Sequence, residues 1–398
     1  MPAAPASPTP PASARLDSID TLRGLVMVLM ALDHARDFFH FGATHGIDPL
    51  DLDRTTPAIF FTRWITHFCA PTFVFLAGTG AFLSGARGKS KRELSWFLLT
   101  RGAWLVVLEW TFVQWAGWKF AFDLNRHLAL VIWAIGWSMI ALAALIHLPT
   151  WAVATFGLAM IASHNAFDAI EPSALGAFGP VWKILHAGGE VSLGHGQKIF
   201  AGYPLIPWIG VMAAGYGFGA WLQLDADTRR GRLWRLGAAL VAAFVVLRFS
   251  NLYGDARHWS VQANAAKTLG SFLHCTKYPP SLCYLLMTLG PGLLLLAWWD
   301  RGAPAWTKPL VVFGRVPMFY YLLHIPLLHG MAVLAAKLKW GRADWLYGAE
   351  PARPPDAAGF GLVGTYAAWL VAILLLYPLC RWFAALKRRR RDAWLSYL

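Results

Sequence analysis

Two clusters of ionisable residues flank an apolar run near the start of the chain: Asp20-Thr21-Leu22-Arg23-Gly24, then Leu25–Leu32, then Asp33-His34-Ala35-Arg36-Asp37. The segment otherwise reads as a first membrane-crossing helix. A charge at bilayer depth costs about 2.5–3.5 kcal/mol on insertion scales, so such groups face a protein-lined or watery cavity. Asp37 follows His34 by three residues, on nearly the same helical face, where a carboxylate can orient an imidazole for proton transfer. The other reading is a self-satisfied His–Asp–Arg network that only specifies packing.

Depth counting adds partners. An α-helix rises about 1.5 Å per residue. His34 stands twelve residues into its span from the inner edge, roughly 18 Å deep in a core of about 30 Å. His67, entering a second span from outside, reaches the same level, and so does His329. His324 lies lower, about 10 Å from the inner face by the same rise. Arg101 and Glu109, eight residues apart on one face, are too distant to pair. Arg101, near an inner edge, is placed to meet a phosphate or to snorkel to headgroups. Pro326, beside His324 inside a span, frees a backbone carbonyl and suggests a kink next to a cavity.

These residues need a membrane scaffold to hold them. The chain has 398 residues, 57% of them hydrophobic and 14% charged, with mean hydropathy +0.46; an ordinary soluble domain is about 25% charged. Apolar runs predict an all-α polytopic membrane protein of about ten transmembrane helices in one bundle, at 22–40, 59–85, 96–118, 127–147, 149–164, 203–223, 232–250, 281–300, 317–338 and 358–384. The net charge of +14 does not point to nucleic acid, because Lys and Arg concentrate in short alternate loops and in Lys387–Arg391. Positive loops stay inside, which puts both termini in the cytoplasm. Residues 1–14 read as a disordered Pro/Ala-rich tail, 15–386 as one membrane domain and 387–398 as a basic cytoplasmic tail. Three outer segments, 41–58, 165–202 and 251–280, are long, and the second is rich in Gly and His. The four cysteines lack metal-ligand spacing, although Cys275 and Cys283 would lie on the same outer side. No metal is implied by the histidine spacing.

The blocks "DTLRG", "LDHARDFF", "FCAPTFVFLAGTGAFLSG" (68–85), "RGAWLVVLEW" (101–110), "WAIGWSMIAL" (133–142), "YPLIPWIGVMAAGYGFG" (203–219), "TKYPPSL" (276–282) and "FGRVPMFYYLLHIPL" (313–327) resemble bacterial members of the heparan-α-glucosaminide N-acetyltransferase family, over residues 15 to about 385. The resemblance implies a multi-pass protein of the bacterial inner membrane that moves an acetyl group from cytosolic acetyl-CoA to an amino sugar or other glycan acceptor on the far side. Arg23 followed eleven residues later by His34 is also similar to the membrane acyltransferases that acetylate surface polysaccharides. By that comparison His34 is the catalytic candidate. The family's animal lysosomal members carry Asn at this position and place their active-site His near what is Pro57 here, so His45 or His67 are the substitutes if His34 does not act.

The residues and the resemblance together give one set of expectations. Catalysis falls to His34, Asp37 and His67, with His34 as base or acyl carrier. Arg23, Arg101 and Arg315 meet the phosphates of acyl-CoA. Asp20, Asp33, Arg36, Glu109, Lys277, Tyr278 and His324 support the substrate or the site. Membrane lipid surrounds the bundle, and a homodimer is compatible with it. Two rivals stay open: a proton-coupled transporter or lipid-linked flippase using the same His/Asp/Arg cluster, and a non-catalytic membrane scaffold.

Overall fold

The computed structural model describes residues 16–348, 351–390 and 392–397; the Pro/Ala-rich segment 1–14 lies outside them. Helices stand at all ten expected positions: α1 Asp17–Phe39, α2 Pro57–Ala86, α3 Lys91–Lys119, α4 Val131–Leu145, α5 Thr150–Ser163, α6 Leu205–Gln223, α7 Ala226–Ser250, α8 Leu282–Trp299, α9 Pro317–Trp340 and α10 Leu362–Arg389. Seven of them are long and apolar enough to cross a membrane. The other three are α1, too charged by composition, and α4 and α5, of 15 and 14 residues, or about 21–23 Å. The basic stretch from Lys387 begins inside α10.

Caps fix several starts. Ser90 and Glu93 form a reciprocal capping box at α3, Asp225 accepts from the Thr228 amide at α7, and Ser281 accepts from the Tyr284 amide at α8. Each cap satisfies an orphan donor of the first turn. Two helices change winding midway. In α2 a 3₁₀ stretch, Ile65–Phe68, separates two α-helical parts, and α3 becomes π-helical from Glu109 to Lys119.

The central element is α1, which packs against α2, α8, α9, α10 and the short helix Lys308–Arg315. Its contact with the short helix is backbone on backbone. A Cβ on Gly24 would lie 1.8 Å from the Leu310 carbonyl oxygen, and one on Gly314 would lie 1.8 Å from that of Asp20. The two glycines let the "DTLRG" and "FGRV" blocks touch. Gly24→Ala is therefore expected to destabilise the protein by about 1–3 kcal/mol through overpacking. A thermal melt in detergent checks this, and an unchanged midpoint would mean that the two elements tolerate separation.

A small sheet adds to the all-α expectation. Strands β1 Arg126–Ala129, β2 Gly189–Gly194 and β3 Gln197–Ala201 run in the order β1-β3-β2, with β1 parallel and β2 antiparallel to β3. Beyond the ladder, the amides of Gly202 and Tyr203 both donate to the Ala129 carbonyl. The sheet thus brings the start of α4 beside the start of α6. All four cysteines, Cys275 and Cys283 included, are buried free thiols.

Candidate active site

Most of the residues expected on α1 and several of their partners line two adjoining cavities. One, of about 320 Å³, is apolar along most of its wall, with Leu76, Leu105, Ile135 and Met139 among its lining residues. Its cations are Arg23 from α1, Arg101 from α3 and Lys387 from α10, so this is the basic end of the bundle. The second, a chamber of about 190 Å³, is lined by Asp33, His34, Arg36 and Asp37 from α1, Arg63 from α2, Trp118 from α3, and Tyr203, Lys277 and Tyr278. Phe73, Val131 and Tyr321 line both, so the two cavities meet at these three residues.

At the basic end, Arg23 Nη1 donates to Asp20 Oδ1 at 3.2 Å and to the Gly314 carbonyl at 3.0 Å. Arg315 reaches Asp17 at 3.1 Å and Asp20 Oδ2 at 3.7 Å. Asp20 is 2% exposed and so anchors two of the three expected phosphate-binding arginines. Arg315 does not line the cavity, whereas Arg101 does, its guanidinium over Phe97 at 5.8 Å.

In the chamber an ion-pair ladder runs across α1. Arg63 Nη1 binds both oxygens of Asp33 at 2.6 and 2.5 Å. Arg36 Nη2 bridges Asp33 Oδ1 at 3.0 Å and Asp37 Oδ1 at 2.6 Å. The remaining Asp37 oxygen faces His34 Nδ1 at 3.4 Å. That contact is long, as base–orienter bonds often are without substrate. With the carboxylate as acceptor the donor is Nδ1–H, so in the neutral imidazole Nε2 of His34 carries the lone pair. Trp118 meets the His34 ring edge-on at 4.9 Å between centroids, and His324 lies 5.2 Å away. His324 is fully buried; its Nδ1 donates to the Tyr321 carbonyl at 2.6 Å, so Nε2, which has no hydrogen-bond partner, is an acceptor. Opposite, the Tyr278 ring stands 5.1 Å from that of Tyr203 and 5.2 Å from the Lys277 ammonium.

The structure brings together His34, Asp37, Asp33, Arg36, Lys277 and Tyr278, with His324 against His34. Depth counting set His324 well below His34; their rings are in fact neighbours. Other expected residues stand apart. His67 is fully buried with its ring 5.3 Å from Tyr284 and does not line the chamber. The 3₁₀ stretch explains this: it turns each residue by about 120° instead of the 100° of an α-helix, so His67 leaves the face shown by Arg63 and Thr66. Glu109 lines neither cavity; one oxygen accepts from the Trp133 amide at 3.1 Å and ties α3 to α4. His329 clamps the Gly117 and Leu346 carbonyls at 2.6 and 2.5 Å, and His45 Nδ1 reaches the Phe41 carbonyl four residues earlier at 2.9 Å. Sequence reasoning missed Arg63, Trp118, Tyr203 and Tyr321. Arg63 carried a signal, being a charge within a predicted span.

A sequence profile described as "Heparan-alpha-glucosaminide N-acetyltransferase, catalytic" matches residues 15–249, more than half of the chain. No curated protein matches the chain significantly. The matched stretch runs from α1 through α6 into the end of α7, and carries every chamber residue named above except Lys277, Tyr278 and Tyr321. The chain belongs to the heparan-α-glucosaminide N-acetyltransferase family and is a transmembrane acetyltransferase.

Proposed function

We propose that the protein takes an acetyl group from cytosolic acetyl-CoA, held at the basic end, and passes it to an amine or hydroxyl of a sugar-type acceptor in the chamber, with His34 as general base. The observation that carries this reading is the meeting of the two cavities at Phe73, Val131 and Tyr321. One has cations suited to phosphate around an apolar bore suited to a pantetheine arm, and the other holds the His34–Asp37 pair. The Lys/Arg-rich loops at the basic end favour a cytoplasmic position for that end and for both termini, in the inner membrane of a bacterium. Residues 15–386 then act as one acyltransferase domain.

The reaction follows from the tautomer. Nε2 of His34 accepts the acceptor's proton as its nitrogen or oxygen bonds to the thioester carbonyl carbon. The carbon–sulfur bond then breaks, and the imidazolium proton goes to the departing thiolate. Asp37 keeps Nδ1 protonated and stabilises the imidazolium between the two transfers. Arg36 and Arg63 hold the α1 carboxylates in place. Arg23, Arg101 and Lys387 meet the CoA phosphates, Arg315 steadying Asp20 behind Arg23.

Two variants test the donor side. Arg101→Ala is expected to weaken CoA binding by about 10- to 150-fold, the loss of one charge-assisted contact. Calorimetric titration reads this, and unchanged affinity would assign Arg101 to lipid headgroups. Gly80 lines the donor cavity, and a Cβ there meets nothing within 4 Å. Gly80→Phe should therefore fill the bore without disturbing the fold, abolishing both CoA binding and thiol release. Normal turnover by a well-folded Gly80→Phe protein would place the donor elsewhere.

A further inference from the structure

Away from both cavities, the end of α5 and the segment after it gather His164, Asp168 and His186, each offering one ligand atom within 4.8 Å of the others. We propose that these three side chains bind a divalent transition-metal ion of the zinc class, which fastens the 165–187 segment to the end of the bundle.

The donor set fits. Two imidazoles and a carboxylate suit zinc, whose bonds of about 2.0–2.2 Å set tetrahedral ligand atoms roughly 3.4 Å apart. His186 Nε2 and Asp168 Oδ1 already stand 3.5 Å apart. His164 is 1% exposed and His186 2%. Both ring nitrogens of His164 and Oδ1 of Asp168 are buried without a hydrogen-bond partner, and buried polar atoms are normally satisfied. One ion would satisfy a nitrogen of His164 and that carboxylate oxygen together.

The surroundings have the form of an outer coordination shell, whose members orient the ligands. Asn165 Nδ2 donates to Asp168 Oδ2 at 2.8 Å, which leaves Oδ1 directed at the histidines. The Asn165 carbonyl oxygen in turn accepts from the Leu282 amide at the start of α8. The Pro280 carbonyl lies near the His164 ring without an aligned hydrogen bond. His186 is stacked on Trp182 at 4.9 Å and donates Nε2–H to the His164 carbonyl at 2.9 Å. Binding exchanges that hydrogen bond for coordination. The spacing hides the site in the sequence: His164 and Asp168 are four residues apart, but His186 comes eighteen residues later.

The test uses the full-length protein purified without a polyhistidine tag, stripped with a chelator and titrated with zinc chloride against a chromophoric competitor. One zinc per chain is expected, with a raised melting temperature. Asp168→Asn and His164→Ala should each weaken binding by more than about 100-fold, beyond what outer-shell changes cause. Zinc X-ray absorption on the wild type, which needs no variant to fold, should show a shell of nitrogen and oxygen with two imidazoles. No stoichiometric binding, a shell lacking two imidazoles, or equal affinity in the folded variants would overturn the site and leave His186–Asp168 as an ion pair.

Discussion

His34→Asn is expected to fold, to bind acetyl-CoA normally, and to transfer acetyl groups about 10²- to 10⁴-fold more slowly, the range for loss of a general base. Asn keeps a polar group of similar bulk against Asp37 and Trp118 but has no basic lone pair at the position of Nε2. The donor cavity does not include residue 34, so binding and transfer should separate cleanly. Near-normal transfer would move the base to another group. His67 is a poor substitute because its ring turns away from the chamber, and His324, beside His34 with an open Nε2, is the next candidate. Loss of both folding and CoA binding would make the His34–Asp37 pair structural. Asn is also what the resemblance gives for the lysosomal relatives here, so the swap compares two arrangements of one site.

Arg63→Met is expected to cost about 3 kcal/mol or more of stability, since breaking a buried pair strands a charge. Asp33 would keep only its single contact with Arg36, and the chamber wall between α1 and α2 would lose its cross-link. Asp33→Asn combined with Arg63→Met should recover much of the loss, because no uncompensated charge then remains. Thermal melts of the two single variants and the double variant give the coupling directly. Additive losses would show that the pair is not the chamber's structural tie.

The helix positions were legible because an apolar run of about 20 residues is a strong signal, and ten such runs coincide with ten helices to within a few residues. The His34–Asp37 pair was legible too, being a local i, i+3 relation on one helix. What escaped depends on winding and on distant pairing. His67 was expected beside His34, yet it does not line the chamber, since nothing in "RWITHFCAP" announces a 3₁₀ stretch. The sheet joins Arg126–Ala129 to a strand some seventy residues later, and its strands of 4–6 residues give too little alternation to stand out. His324 was misplaced because counting from an edge assumes straight, upright helices. Gly24 and Gly314 lie in quoted blocks, but their purpose, a backbone contact between α1 and the helix Lys308–Arg315, belongs to tertiary structure alone.

The central claim is that one chain carries an acetyl group between opposite membrane faces. Reconstituted vesicles with the basic end outward, glucosamine sealed inside and acetyl-labelled acetyl-CoA added outside test it most directly. The expected result is labelled N-acetylglucosamine in the lumen, matched by free CoA thiol outside and none within. Intact CoA in the lumen would indicate a transporter, and product formed only when both substrates share one side would contradict transmembrane transfer.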